Sequence, residues 1–271
     1  MAAIDYSFAA IYYIIQKTIT EPTMISEKYR FAEKTVRINS IYPQVHEHCR
    51  KYISDTEPDF EITVTPKDIV AEKKLWEEEN REQVKMGKTH SDGIHEITAA
   101  YRKIAEIMPT YQTILMHGSS IAVDGQGYLF VAYSGTGKST HTALWREYLG
   151  DRAVMVNDDK PLIRITEDEV RIYGTAYCGK HRIGNDISVP LKAICFINRG
   201  KENTIRKIMP EDSFADLIKA VYRPDDPGSF ALTMSLVNTL MRKTEFYELY
   251  CNMDISAAEL SYNAMKGEPE R

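Results

Sequence analysis

The residues best suited to chemistry sit together in the middle of the chain. An apolar run over residues 129–132 leads into Ser134, Gly135, Thr136, Gly137, Lys138, Ser139 and Thr140. Glycines let backbone amides turn toward an anion and approach it closely. A helix opening at Lys138 adds the positive end of its dipole at the same point. The lysine would reach the outer phosphates of a nucleotide such as ATP, and the Ser139 hydroxyl would sit on Mg²⁺. Strand, glycine turn and helix in this order read as a phosphate-binding loop of Walker A type, with Ala132 in place of the usual first glycine. The plain alternative is a glycine turn before any helix, with a chance lysine; the order of the elements weighs against it.

A second group follows. Residues 154–156 are apolar and end in Asn157, Asp158 and Asp159. A carboxylate at the tip of a buried strand, beyond the phosphate-loop lysine, can hold Mg²⁺ directly or through water. Two adjacent carboxylates allow a division of labour, one on the metal and one as base toward a hydroxyl. Standing alone, such a pair is as readily an acidic turn; beside the phosphate loop the functional reading is preferred. Further on, residues 174–182 carry Gly179, Lys180 and Arg182. Glycines suit a loop that closes over a ligand, and the two cations could meet phosphate, although a plain connection fits these residues nearly as well. Cys178 has no base near it in sequence and is not read as a nucleophile.

The elements that must position these groups follow from periodicity. In residues 60–64 apolar and polar side chains alternate, the mark of a half-buried strand. Thr65, Pro66 and Asp68 then supply a hydroxyl cap, a first-turn proline and an acid three residues on, which predicts a helix start. Its charged stretch, residues 77–82, reads as a solvated face, and residues 87–93 as a loop. Ile97, Tyr101, Ile104 and Met108 recur at helical spacing, predicting a helix over 94–108 stopped by Pro109. His46, Glu47, His48 and Cys49 have a metal-like look, but without a partner cluster they are read as a solvated loop. Residues 1–110 thus form an appended α+β region that offers no chemistry of its own.

From about residue 111 a second region, 111–271, carries the site. A hairpin turning over Asp124-Gly125-Gln126-Gly127 delivers the phosphate loop, and the helix after it presents Leu144, Trp145, Tyr148 and Leu149 as its apolar face, ending at Gly150. Residues 163–165 and 170–173 read as a second hairpin. Strands are predicted over 191–197, 205–208 and 246–251. Helices are predicted around Phe214, Leu217, Ile218 and Val221, around Phe230, Met234, Val237 and Met241, and over 256–265, before a frayed tail at 266–271.

The chain has 271 residues and a formal charge of −5, without a basic patch, so nucleic acid is not an expected partner. The apolar run at residues 6–15 is about half the length a membrane span needs, and no basic residue precedes it as in a signal peptide. It reads as a buried strand or short helix, and no membrane partner is expected. Cys49, Cys178, Cys195 and Cys251 form no Cys-x-x-Cys pair; free thiols in a reducing cytoplasm are the simplest reading.

His117-Gly118, the loop Ser134-Gly135-Thr136-Gly137-Lys138-Ser139 and the Asp158-Asp159 strand tip together resemble the catalytic domain of HPr kinase/phosphorylase, which shares a fold with ATP-dependent phosphoenolpyruvate carboxykinase. Residues 174–180 are similar to a Gly-Thr-Pro-Trp-x-Gly segment of HPr-kinase-like proteins. The resemblance implies an α/β fold: a P-loop kinase core with mixed β-sheets and an appended N-terminal region. It implies that Lys138 binds the β- and γ-phosphates, that Ser139 and one of the two aspartates hold Mg²⁺ while the other takes the proton of the accepting hydroxyl (Asp159 and Asp158 are assigned here in that order, the reverse being open), and that His117 lies near the reacting phosphoryl group. It also brings the expectation of a homo-oligomer, since enzymes of this family can be hexamers.

The leading expectation is an ATP- and Mg²⁺-dependent kinase that transfers the γ-phosphoryl group to a hydroxyl of a protein, peptide or small metabolite. Carboxykinase chemistry is the second expectation, favoured by the wording of the loop and opposed by a chain about half the length that chemistry implies in the family resembled. A non-catalytic ATP-binding module is the third, for which Ala132 and the featureless first region leave room.

Overall fold

The computed structural model describes residues 23–133, 135–179 and 181–267. The apolar run at 6–15, Ser134, Lys180 and the last residues of the tail lie outside the described residues.

The first region is a layer of strands and helices. β1 (Ile25–Phe31) and β2 (Lys34–Ser40) form an antiparallel hairpin, and β3 (Phe60–Thr63) pairs parallel to β2. Between β2 and β3 lies α1 (Gln44–Cys49). This is a correction to the solvated loop expected there: Cys49 is buried, and His46 sits between the Tyr29 hydroxyl (2.8 Å) and Ser40 Oγ (2.8 Å). The alternation of types in this segment is too short to reveal a helix that packs on only one turn.

After β3 come α2 (Pro66–Glu79), the short α3 (Arg81–Lys85) and α4 (Asp92–Ile107). The start of α2 is a reciprocal capping box: the Thr65 hydroxyl and the Asp68 carboxylate each satisfy the other's backbone amide. The α4 helix starts two residues earlier than its apolar spacing suggests, and its helical geometry tightens into a 3₁₀ turn, Met108–Tyr111, at Pro109. The apolar face of α4 packs Ala100, Tyr101 and Ile104 into one core with the β1–β3 sheet and with Leu115, Leu162 and Tyr177 of the second region.

The second region is built on one large sheet of mixed direction. Its strands are β4 (Thr113–Leu115), β5 (Ser119–Val123), β6 (Gln126–Val131), β7 (Ala153–Asn157), β8 (Leu162–Ile165), β9 (Val170–Tyr173), β10 (Ser188–Arg199), β11 (Thr204–Ile208) and β12 (Glu245–Cys251). Strand β10 holds it together. Its first residues pair antiparallel with β9, in a row that continues through β8 to β4. From Leu191 onward it pairs parallel with β6 on one side and, from Ala193, with β12 on the other. The changeover falls at Pro190 and at a register shift between Leu191 and Ala193, where a residue without an N–H is tolerated. Beyond β6 lie β5 and then β7, both antiparallel; beyond β12 lies β11.

Helices cover both faces, as a parallel centre requires. On one face α5 (Lys138–Leu149) and α8 (Ser256–Met265) enclose Trp145, Phe130, Tyr128 and Leu249. On the other, α6 (Phe214–Ala220) and α7 (Pro227–Lys243) enclose Leu129, Ile194, Phe246 and Leu240. Three expected apolar faces shift: in α6, Phe214 is exposed and Leu217 and Ala220 are buried. In α5, Tyr148 is exposed and the buried line is His141, Thr142, Trp145 and Leu149; in α7 it is Thr233, Val237 and Leu240, while Phe230 is exposed. Packing against neighbours rotates a helix by a fraction of a turn relative to its most apolar stripe, at small cost when the boundary residues are amphipathic. Among the described residues no helix is long and apolar enough to cross a membrane. All four cysteines are buried as free thiols.

Trp145 is the anchor of α5. It is fully buried, its rings meet Tyr128, Phe130 and Tyr262 edge-on or tilted, and its Nε1 donates to Ser261 Oγ (2.8 Å). Replacing Trp145 by Ala is expected to lower the unfolding free energy by about 3–5 kcal/mol in urea titration. A loss below about 1 kcal/mol would mean that α5 is not held by this contact.

Candidate functional site

Strand β6 and helix α5 are joined by residues 132–137, the segment read as a phosphate loop. Gly135 and Gly137 have φ of 77° and 125°, a region that side chains with a Cβ rarely enter. The loop is tied at its back by β10, where Arg199 Nη2 donates to the Gly135 carbonyl (2.6 Å). At its front, Tyr133 reaches α6, giving its hydroxyl proton to Asp216 (3.1 Å) and accepting from Lys219 Nζ (2.6 Å).

Lys138 opens α5 and is buried, its Nζ donating to the Ala132 carbonyl (3.0 Å). Burial pushes its ammonium pKa down, and the carboxylates of Asp159 and Asp158 pull the other way. Ser139 and Thr140 lie on the exposed side of the same turn.

The two aspartates are set by backbone chemistry at the end of β7. The side-chain oxygen of Asn157 accepts from the amides of Asp159 (2.9 Å) and Lys160 (2.7 Å), a local turn that folds the carboxylates back toward the helix. Ser119, the first residue of β5, donates its hydroxyl to Asp158 Oδ1 (2.6 Å) and also meets Thr142 Oγ1 of α5 (2.9 Å). Asp158 is therefore fixed to the helix that carries Lys138.

Asp159 is held differently. Lys160 Nζ donates to its Oδ2 (2.7 Å), and His117 Nε2 lies 3.3 Å from its Oδ1. Burial raises its carboxyl pKa, but the His117 hydrogen bond and the Lys160 ammonium outweigh that and hold it at about 2. Gly179 packs against the same side chain: a Cβ there would stand 3.2 Å from Asp159 Cβ.

The structure thus brings His117, Lys138, Asp158, Asp159 and Gly179 to one place. Arg182 is exposed, in left-handed conformation, and lies beside His48; the carbonyl of the next residue, Ile183, accepts from the Asp158 amide (3.1 Å). Of the loop read either as closing over a ligand or as a plain connection, residues 174–178 are buried, and Tyr177 stacks on Tyr101 of α4 with ring centroids 3.5 Å apart. Cys178 is buried and its thiol pKa is raised, as expected of a thiol that does no chemistry.

Two clefts flank the loop. One, of about 440 Å³, is lined by Gly135, Gly137, Thr140, Leu144, Arg199 and Met253. The other, of about 410 Å³, is lined by Ala132, Tyr133, His117, Phe196, Arg206 and Lys219. The Lys138 ammonium rests on the carbonyl of Ala132, at the wall of the second cleft. For a metal, the candidate oxygen donors are the carboxylates of Asp158 and Asp159, with the exposed Ser139 hydroxyl at the start of α5. These are hard ligands of the kind Mg²⁺ takes, and they would leave much of its shell to other donors. Among the described residues no group of three His, Cys, Asp or Glu stands ready to hold a metal by itself.

Four contributors escape a reading by motif. Lys160 and Asn157 adjoin the Asp pair, and an Asn at a strand end followed by free amides is a visible signal for the turn it makes. Ser119 adjoins His117-Gly118. Tyr101 looked like one more core residue of α4, and nothing in the sequence separates it from its neighbours.

Asp159 has a folded-state pKa below the ordinary 3.8, so its contribution to stability is complete above about pH 4 and is lost as the pH falls through about 2. Carbon-detected NMR titration should find the Asp159 carboxyl titrating near 2 in the wild type, and roughly a unit higher in Lys160→Ala. A wild-type midpoint at 3.8 or above contradicts the arrangement.

No protein-family model matches the chain, and no curated protein matches it. Among solved structures it is similar to the Hpr(Ser) kinase/phosphatase from Coxiella burnetii, at a TM-score of 0.35 and 9% identity, over 56% of this chain and 99% of that one.

Proposed function

We propose that this protein is an ATP- and Mg²⁺-dependent phosphotransferase that moves the γ-phosphoryl group to a hydroxyl of an acceptor, a protein or peptide serine or a small metabolite. The observation that carries the reading is the convergence of Lys138, Asp158, Asp159 and His117 at a glycine loop standing between two clefts. A donor and an acceptor need separate seats that meet at one point, and this loop is the wall the seats share.

The polarity of the site follows from Lys138. Its ammonium lies at the Ala132 side of the loop, so the outer phosphates of ATP are assigned to that end and the nucleoside to the cleft of Thr140, Leu144 and Met253. The acceptor is then assigned to the cleft of His117 and Tyr133. Ser139 and Asp159 would hold Mg²⁺, which when bound offsets the charge of the β- and γ-phosphates. Lys138 adds its charge at the same phosphates, and the loop amides orient them. Asp158, aimed by Ser119, takes the proton of the acceptor hydroxyl. His117 steadies Asp159 at the edge of the acceptor cleft. Most of the rate enhancement then comes from holding hydroxyl and phosphorus in line.

The test is incubation with labelled ATP, Mg²⁺ and cell extract, followed by identification of whatever acquires label. Lys138→Ala is expected to reduce ATP turnover by at least about a hundredfold with the circular-dichroism spectrum unchanged. Unchanged turnover in that variant ends the proposal, and ATP binding without transfer to any fraction points instead to a nucleotide-binding module.

A further inference from the structure

We infer that helix α4, in the first region, is the positioning element of the site, with Tyr101 and Glu106 each setting one member of the His117–Asp159 pair. The inference rests on the phosphotransferase reading for its catalytic meaning and on geometry alone for the positioning itself.

On the Asp159 side the path is short. Tyr101 is buried, and its hydroxyl donates to the Lys160 carbonyl (2.6 Å). Thr175 Oγ1 donates to the same oxygen (3.0 Å). Lys160 in turn holds Asp159 Oδ2 through its ammonium. The Tyr101 ring also lies flat on Tyr177, in the buried loop that ends at Gly179 against Asp159. One side chain of α4 therefore fixes the backbone of Lys160 from below and the loop over Asp159 from the side.

On the His117 side Glu106, just over a turn further along α4, accepts from the Tyr222 hydroxyl (2.6 Å) and from the Asp225 amide (3.0 Å). The same segment pairs its backbone with the strand that presents the histidine: Tyr222 N donates to Leu115 O (2.9 Å) and His117 N to Ala220 O (2.7 Å). The helix is itself anchored at its other end, where the buried Glu96 accepts from the amides of Ile41 (2.6 Å) and Tyr42 (2.8 Å). A rigid helix gripped by the β1–β3 layer thus reaches both halves of a pair whose separation must stay within a few tenths of an ångström to work. Tyr101 touches no reacting atom; it is a positioning residue.

Tyr101→Phe keeps the ring and its stacking and removes only the hydrogen bond. Two measurements read it. Hydrogen–deuterium exchange should become at least about tenfold faster for the amides of Asp159 and Lys160, with those of β5 and β7 unchanged. Calorimetric titration with ATP should show that the gain in affinity brought by Mg²⁺ falls by about tenfold, with affinity in EDTA unchanged. A purely structural role for Tyr101 would weaken both titrations together and speed exchange across β7 as well, and that result overturns the inference. So does exchange at Asp159 and Lys160 that matches the wild type. If the wild type binds no ATP at all, the phosphotransferase reading falls, while the exchange measurement still decides the positioning.

Discussion

A lysine taken out of water must find negative charge or lose its own. Lys138 is in that position: burial works against its ammonium, and Asp159 and Asp158 partly offset that. Much of the surrounding architecture serves this balance. The carboxylates cannot simply be left beside the lysine, because they repel each other and would swing toward solvent. Each is held by its own donors, Asp158 by Ser119 and Asp159 by Lys160 and His117. The cost of gathering so many charges is met by pairing them in advance, before any ligand arrives, which is also what a site needs if it is to act on a charged ligand without reorganising.

The sheet makes this possible by bringing four chain segments to one edge of the loop. Strand β6 runs into the loop, β5 presents Ser119 next to it, β7 ends in the aspartates, and β10 sends Arg199 under the Gly135 carbonyl. The crossing of two strand arrays at β10 has a further effect. It turns the β4–β8–β9 row so that the loop after β9 packs between the first region and the aspartates. The first part of the segment that sequence left open between a closing loop and a plain connection is therefore a wedge. Its aromatic residue finds a stacking partner in α4 and is buried with it.

Much of the fold was legible in the sequence. The capping box at Thr65 and Asp68, the turn at Asp124 and Gly125, the helix from Lys138 to Leu149 and the strand ending at Asn157 are all local arrangements, and the residues that make them are neighbours in the chain. Elements whose form depends on distant partners were less legible. The short helix at His46 is held by Tyr29 and Ser40. The buried lines of α5 and α7 are decided by the sheet they cover, so Tyr148 and Phe230 stay out despite their apolar rings.

The sequence by itself determined the chemistry available: a glycine loop, a lysine, a hydroxyl and two carboxylates, with a histidine before them. Backbone freedom and the kind of ionisable or hydroxyl group are properties of residue type, and they travel with the chain whatever it packs against. Only the tertiary structure decided which of these groups meet, which are set aside, and what aims them. Arg182 carries the right charge and stays exposed beside His48. Tyr101 carries none, yet it is bonded to the segment that bears Asp159. The reason is physical: a hydrogen bond acts across about 3 Å, and no regularity of spacing along a chain says which residues, dozens of positions apart, will come within it.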